Sequence, residues 1–367
     1  MKIERIAITP CVMRKDDPAW RFALAARPVT EGLVVAITAD NGTTGYGYAA
    51  ATAHMGASMG GLKGALETLA PILDGRDPTA MTAIRTDLDR ALHGNNQAKA
   101  GLDNALYDLV AKAMKIPLNA LFGGVVRDEF PVLRILAIKT PDEMAAQAGK
   151  LVDEGYLFLK IKVQGVVADD VARVAAIRKR IGDGVHLTID ANQSYAPKDA
   201  ISALNRMAEY AIDLVEQPVA IDDLKGLKLV TDSVPVTVEA DESAGSVQQI
   251  ADLVENRIVD AVSLKTAKLG GLWNSLTAAQ ICAAGNVRYR FGAHVGSRLL
   301  CAPAMQLAAA LPEMWYACEF GEFARLLDDP FEGIEVEDGT IRLPGGIASG
   351  VGPRGGSAKI SARGYSP

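Results

Sequence analysis

Apolar and polar positions alternate over residues 2–8, 32–39 and 44–50, the period-two signature of strands, and Asn41-Gly42 between the last two predicts a tight hairpin. Residues 16–30 interrupt the pattern with a polar and aromatic loop carrying Trp20, Arg21, Phe22 and Arg27. From about residue 60 the apolar spacing changes to three and four, and 62–73, 79–92 and 98–114 read as helices. Gly94-Asn95-Asn96 separates the last two helices, and Phe122-Gly123-Gly124 closes the block. Strands followed by helices predict a separate α+β layer over residues 1–125.

Beyond Pro131 short strands and helices alternate without a break. Strands are expected at 132–137, 157–163, 185–190, 213–216, 236–239, 261–265, 287–291 and 316–318. Helices are expected at 141–154, 168–181, 198–210, 222–230, 247–255, 272–284 and 299–311. Thr140 and Glu143 have the spacing of a cap and first-turn acid for the first of these helices. Eight strands separated by helices predict an α/β fold, a (β/α)8-type barrel over residues 126–325. An open doubly wound sheet is the alternative, but it wants a glycine-rich phosphate loop after its first strand, and none is present. Residues 326–367 read as a hairpin around Asp338-Gly339 and a glycine-rich arm that returns to the first layer.

Composition narrows the function. The chain has 367 residues, of which 49% are hydrophobic and 22% charged, a soluble globular profile. No apolar run approaches the length that spans a bilayer, and the start Met1-Lys2-Ile3-Glu4-Arg5 does not resemble a secretion signal. Cys11, Cys282, Cys301 and Cys318 have neither zinc-site nor disulfide-framework spacing, so they read as free thiols of a cytoplasmic protein. A net charge of −6 argues against a nucleic-acid partner. It does not argue against a small anion, since one bound cation reverses the local field.

Within 157–163, Leu-Phe-Leu-Lys-Ile-Lys-Val, strand geometry puts Lys160 and Lys162 on one face and Leu159 and Ile161 on the other. Alone, this reads best as an edge strand with a solvated lysine face. The ends of the later strands change that reading, because barrel active sites lie at the C-terminal ends of the strands. Lys162, Asp190, Glu216, Asp241 and Lys265 follow one another 28, 26, 25 and 24 residues apart, about one βα unit each, which predicts a common level. Three carboxylates at one level need a cation, and an all-oxygen set suits Mg²⁺, with Mn²⁺ possible, better than Zn²⁺. Asn192, Gln217 and Glu242 follow the acids closely and are read as residues that orient them. Lys162 and Lys265, four strands apart, face each other across the mouth. Lys160, Lys268 and the metal would lower their affinity for a proton, suiting them to removal of the proton α to a carboxylate, and Lys160 is also read as touching the substrate carboxylate.

These motifs, Lys160-Ile161-Lys162, Asp190-Ala191-Asn192, Glu216-Gln217-Pro218, Asp241-Glu242-Ser243 and Lys265 to Gly271, together with Gly45-Tyr46-Gly47, resemble the enolase superfamily, specifically its muconate lactonizing enzyme subgroup. The resemblance implies a capping layer closing over the barrel, Mg²⁺, Lys162 and Lys265 as the acid/base pair, and commonly a homo-oligomer. It implies that loops at about 16–28 and 50–60 set specificity, with Trp20 and Phe22 as substrate contacts. Two departures bear on the substrate. The Asp-x-Asp that dipeptide epimerases carry after the last strand is here Cys318-Glu319-Phe320-Gly321-Glu322, which argues against a dipeptide. Glu319 and Glu322 are read either as binding a cationic substrate group or as capping acids. Mandelate racemases pair a His after strand seven with an Asp on strand six; His294 is present, but Lys265 stands in the Asp position. His294 therefore reads as a substrate contact, and His54, His93 and His186 as structural or surface residues. The expected reaction is racemisation or epimerisation of a small-molecule carboxylate, with cycloisomerisation or dehydration by the same lysines as alternatives. A non-catalytic relative that keeps the fold is the rival of another class.

Overall fold

The computed structural model describes residues 1–292 and 295–355. The first layer is an antiparallel sheet in the order β1 (Ile3–Arg14), β4 (Val29–Ala39), β5 (Thr44–Ala50). The loop expected between its first two strands contains a small hairpin, β2 (Arg21–Phe22) and β3 (Ala25–Ala26). Helices α1 (Met59–Leu69) and α3 (Asn96–Met114) cover one face of the sheet, and α2 (Met81–Ala91) packs on α3. Val35 and Ile37 of β4 are fully buried against Leu66 of α1 and Leu102 and Leu109 of α3. Each such side chain contributes about 1.5–3 kcal/mol by leaving water. The approach of β5 to α3 is close: a Cβ on Gly47 would lie 2.1 Å from the Gly101 carbonyl oxygen. That contact explains why small residues flank Tyr46.

The second layer is a parallel sheet with strands in chain order: β7 (Leu133–Leu136), β8 (Phe158–Lys162), β9 (His186–Asp190), β10 (Ile212–Glu216), β11 (Thr237–Ala240), β12 (Ala261–Leu264) and β13 (Arg288–Phe291). Preceding it, β6 (Glu129–Pro131) pairs with β15 (Thr340–Arg342), and β14 (Phe331–Glu332) pairs with β16 (Gly352–Pro353). The intervening helices are α4 (Pro141–Asp153), α5 (Val167–Ile181), α6 (Pro197–Met207), α7 (Leu224–Ser233), α8 (Val247–Glu255), the short α9 (Thr266–Leu269), α10 (Leu272–Ala284) and α11 (Arg298–Ala308). Thr140 and Glu143 form the reciprocal cap of α4 that their spacing predicts.

The expected eighth strand is not a strand. At 316–318 it shrinks to a single bridge between Val132 and Cys318. The segment still bonds to both sheet edges: Trp315 and Glu319 donate to the carbonyls of Tyr289 and Phe291, and Leu133 donates to Cys318. These bonds bridge β13 to β7, so the segment holds the eighth position without a ladder. The arm after it runs to the capping layer, where Ala348 bonds to Ile116 and Leu118, and Ser349 Oγ to Asp108 Oδ1. The four cysteines are buried free thiols. Among the described residues no helix is long and apolar enough to cross a membrane.

Candidate active site

The site lies at the C-terminal ends of the parallel strands. Lys162 is in register with Asp190, and Asp190 with Glu216. The common level predicted from spacing holds to that point and then shifts. Glu239, not Asp241, stands opposite Glu216. Asp241 follows the end of β11 by one residue, at the start of a 3-10 turn.

Two residues that follow strand-end acids hold backbone conformations that side chains rarely adopt. Asn192 has φ 42° and Gln217 has φ 37°, a left-handed geometry costing on the order of 1–3 kcal/mol each unless the surroundings enforce it. Both are buried and hydrogen-bonded. Gln217 Oε1 accepts from the backbone N–H groups of Asp241 (3.0 Å) and Ser243 (3.1 Å), and its Nε2 donates to Ser243 Oγ (2.8 Å). It thereby fixes the turn that carries Asp241. Asn192 Oδ1 accepts from Lys162 Nζ (2.8 Å), and Asn192 Nδ2 donates to Glu242 Oε1 (3.2 Å).

Lys162 pairs with Asp190, and Lys265 with Asp241. Lys268 Nζ donates to the Asp241 carbonyl (2.6 Å), to Asp241 Oδ1 (2.9 Å) and to the Ser263 carbonyl (2.9 Å). Lys160, two residues below Lys162, donates to Glu216 Oε2 (2.8 Å) and Glu319 Oε1 (2.6 Å). The expectation that neighbouring cations loosen the Lys265 proton is corrected. Burial works in that direction, but Asp241, then Glu216 and Glu319, outweigh it and hold this ammonium above its ordinary range. The nearest charges are acids, not cations. For Lys268, burial prevails over Asp241 and lowers the affinity for its proton.

Beneath these groups lies a cation that sequence reasoning missed. Arg290 of β13 is wholly buried and pairs with Glu216, with Glu239 Oε2 (2.6 Å) and with Glu319 Oε1 (2.6 Å). The signal was present: Arg288 and Arg290 share one face of a strand whose other face is Tyr289 and Phe291, the pattern of Lys160 and Lys162. Burial, with Glu216 beside it, pushes Glu239 up to about 8 despite Arg290. Burial and the charge of Asp241 push Glu242 up to about 7.

Glu319, one reading of which was a partner for a cationic substrate group, has Oε1 taken by Lys160 and Arg290. Glu322 is likewise buried and pairs with Arg134 (3.3 Å). Trp20 and Phe22 line the cavity above the lysines, with Phe22 5.7 Å from Lys162 Nζ. His54, expected to be structural or superficial, also lines this cavity and meets Phe22 edge-on, ring centroids 5.1 Å apart. Burial, aided by Lys265, pushes its imidazole down to about 4, so it is neutral at physiological pH. His186 stacks on Phe158 and pairs with Asp213, and His93 is exposed. His294 lies outside the described residues.

The Mg²⁺ expected from the sequence finds a fitting donor set. Asp190, Glu216 and Asp241 offer only hard oxygens, and Glu216 Oε1 is buried without a hydrogen-bond partner. No three His, Cys, Asp or Glu side chains among the described residues are grouped to hold a metal as they stand. Lys162 and Lys265 sit on two of the three carboxylates instead.

Known proteins resemble this chain over most of its length. Residues 7–123 match the family model "Mandelate racemase / muconate lactonizing enzyme, N-terminal domain", and residues 143–354 match "Enolase C-terminal domain-like". The chain is 35% identical to the L-Ala-D/L-Glu epimerase of Bacillus subtilis, over 96% of this chain and 97% of that one. It is 34% identical to a chloromuconate cycloisomerase of Pseudomonas putida, over 79% and 80% of the two chains. A dipeptide epimerase from Enterococcus faecalis, solved with Mg and the dipeptide L-Leu-L-Tyr, superposes with a TM-score of 0.92 at 31% identity, covering 96% of this chain and 99% of that one. The chain belongs to the enolase superfamily, in its muconate lactonizing enzyme subgroup.

Proposed function

We propose that this protein is a Mg²⁺-dependent isomerase that removes and returns the proton α to a substrate carboxylate, a racemase or epimerase of an amino-acid or proline-derived acid. The observation that carries the reading is the placement of Lys162 and Lys265. They stand at the ends of β8 and β12, line one cavity, and are separated by the three strands that bring in Asp190, Glu216 and Asp241.

Asp190, Glu216 and Asp241 would hold the metal, with Gln217 fixing the turn of the third ligand. When bound, the ion supplies positive charge to the substrate carboxylate and to the negative charge that grows there as the α-proton leaves. Lys162 Nζ takes the proton on one face and Lys265 Nζ returns one on the other. The lysine that takes the proton must be uncharged and the one that returns it charged, so only the accepting lysine's ion pair, to Asp190 or to Asp241, has to loosen first. Asn192 holds Lys162 by a neutral contact that survives that change.

Both named relatives that match the sequence are isomerases, which supports this class of reaction. Cycloisomerisation is the second reading, favoured by the chloromuconate enzyme; one lysine would then serve as a proton donor and the other as a fixed charge. Glu319 lines the cavity, but Lys160 and Arg290 on its Oε1 would compete with a substrate ammonium group there. The deciding test incubates the protein with Mg²⁺ in D₂O and a panel of N-acylamino acids, proline derivatives and muconates. Deuterium entering the α-position with inversion supports epimerisation. If no member of the panel exchanges or isomerises, the proposal fails.

A further inference from the structure

Asp170, in the first turn of α5, is wholly buried and lies outside the cavity that holds the lysines. Its Oδ1 accepts from Arg173 Nη1 (2.7 Å) and from the Gln164 N–H (3.2 Å). Its Oδ2 accepts from the Gly165 N–H (2.9 Å) and from the Tyr195 hydroxyl (2.8 Å). Hydrogen bonds to an ionised carboxylate are among the stronger ones a protein makes.

The donors come from two loops. Gln164 and Gly165 lie just beyond Lys162, in the loop after β8, and Tyr195 lies just beyond Asn192, in the loop after β9. Lys162 and Asn192 are the residues whose side chains meet at 2.8 Å in the site. One carboxylate thus ties together the loops that carry both partners. Neutralising Arg173 would not require this, since Arg173 uses only Oδ1 and has a further partner in the Lys139 carbonyl (3.0 Å). Oδ2 is given wholly to the loops. Between them the backbone adds the Val163 N–H on the Asp190 carbonyl (3.2 Å).

The opposite lysine rests on other supports. Lys265 pairs with Asp241, whose turn is fixed by Gln217 and whose carbonyl receives Lys268. The loop after β9 reaches that side through the N–H groups of Gln193 and Tyr195, on the carbonyls of Gln217 (2.8 Å) and Pro218 (3.1 Å). A change confined to the Tyr195 side chain leaves those backbone bonds in place.

We propose that Asp170 and Tyr195 form a clamp that positions Lys162, and not Lys265, for proton transfer. The inference rests on the two-lysine isomerase reading and adds to it two positioning residues that do not line the cavity.

The test uses the full-length, Mg²⁺-loaded protein and two variants. Tyr195→Phe removes the hydroxyl between the loops and keeps the ring. Asp170→Asn keeps the shape but turns one acceptor into a donor that faces donors. Exchange of the α-proton in D₂O is followed by NMR on separate L and D forms of N-acylamino acids and proline derivatives. A misplacement on the order of 1 Å costs up to about 100-fold in a positioned reaction, so exchange of the isomer facing Lys162, the one that Lys162→Ala silences, should fall about 10- to 100-fold. Exchange of the isomer facing Lys265 should hold. Equal loss from both isomers in Tyr195→Phe means that the clamp serves the fold alone and overturns the proposal, and so does unchanged exchange from both. Tyr195→Phe decides by itself if Asp170→Asn does not fold. Backbone amide exchange, read by mass spectrometry, needs no turnover. It should quicken in Tyr195→Phe over 163–166 and 192–195 and stay unchanged over 264–268. If no acid exchanges its α-proton with the unaltered protein, the isomerase reading fails and the amides decide the clamp. Quickening confined to the two loops then keeps it; unchanged protection, or quickening throughout, removes it.

Discussion

Lys162 and Asp190 stand directly opposite each other at the ends of two neighbouring parallel strands, and their side chains form an ion pair. The residue proposed as a base is thus held by a residue proposed as a metal ligand. A divalent ion held by Asp190 would take up the carboxylate that now faces the Lys162 amine. The same relation joins Lys265 to Asp241 on the other side. A metal held by Asp190 and Asp241 would thus compete with both lysines for the same carboxylates.

The two-base reading makes a directional prediction. Lys162→Ala and Lys265→Ala should each lower epimerisation by at least about 10²–10⁴-fold, the usual worth of a positioned acid or base. Each variant should still exchange the α-proton of one stereoisomer, the one facing its remaining lysine. Proton NMR in D₂O on separate L and D substrates reads this. Equal residual exchange from both isomers in either variant would contradict the assignment of one lysine per face.

Metal binding should be visible without turnover. A ligand that binds only the folded state stabilises it by RT ln(1 + [L]/Kd), about 2.7 kcal/mol at a hundredfold excess over Kd. Thermal unfolding with increasing MgCl₂ should show a saturable rise in Tm, absent with excess EDTA. Glu216→Gln keeps the shape but removes a charge, and should shift that rise to higher Mg²⁺. A Tm that ignores Mg²⁺ in the unaltered protein would remove the metal from the mechanism.

Much of this architecture was legible in the chain because it rests on periodicity and spacing. The strand–helix alternation after Pro131 located seven strands, and the regular interval between strand ends brought Lys162, Asp190 and Glu216 into register. The interval misplaced the level of Asp241, because the strand before it ends at Ala240 and the acid enters on a turn that Gln217 holds. The eighth strand was overcalled at Tyr316–Cys318: a hydrophobic triplet satisfies a strand pattern, but the backbone bonds there alternate between two edges and form no ladder. Arg290 and Glu239 went unread for one shared reason. A buried charge looks like a surface charge in sequence until its neighbours across the barrel are known.

Arg290 offers a stability test of that buried network. It answers Glu216, Glu239 and Glu319 together, and removing one member of a buried ionic cluster costs about 3–5 kcal/mol because its partners stay buried. Arg290→Met should lower stability by that order in urea or heat. Adding Glu239→Gln removes an acid left without a partner and should recover part of the loss. A double variant no more stable than the single one would mean that the cost is packing, not charge.

The contact between the capping layer and the barrel should make stability depend on pH. Asp103 of α3 accepts from the Leu272 N–H (2.7 Å) at the start of α10, where Gly271, at φ 121°, leaves space that a Cβ would fill within 2.2 Å of Asp103 Oδ2. Burial raises its pKa to about 7, against the smaller lowering effects of the Leu272 hydrogen bond and Arg85. In the unfolded chain the value is about 3.9. Between those values the folded state holds the proton and the unfolded state does not, so stability falls as pH rises from about 4 to about 7. Asp103→Asn keeps the acceptor oxygen and removes the titration. Its stability relative to the unaltered protein should rise between pH 5 and pH 8, by no more than about 3 kcal/mol at 1.36 kcal/mol per unit. Urea unfolding at both pH values measures the gap, and a gap that stays constant would mean that Asp103 is ionised at both.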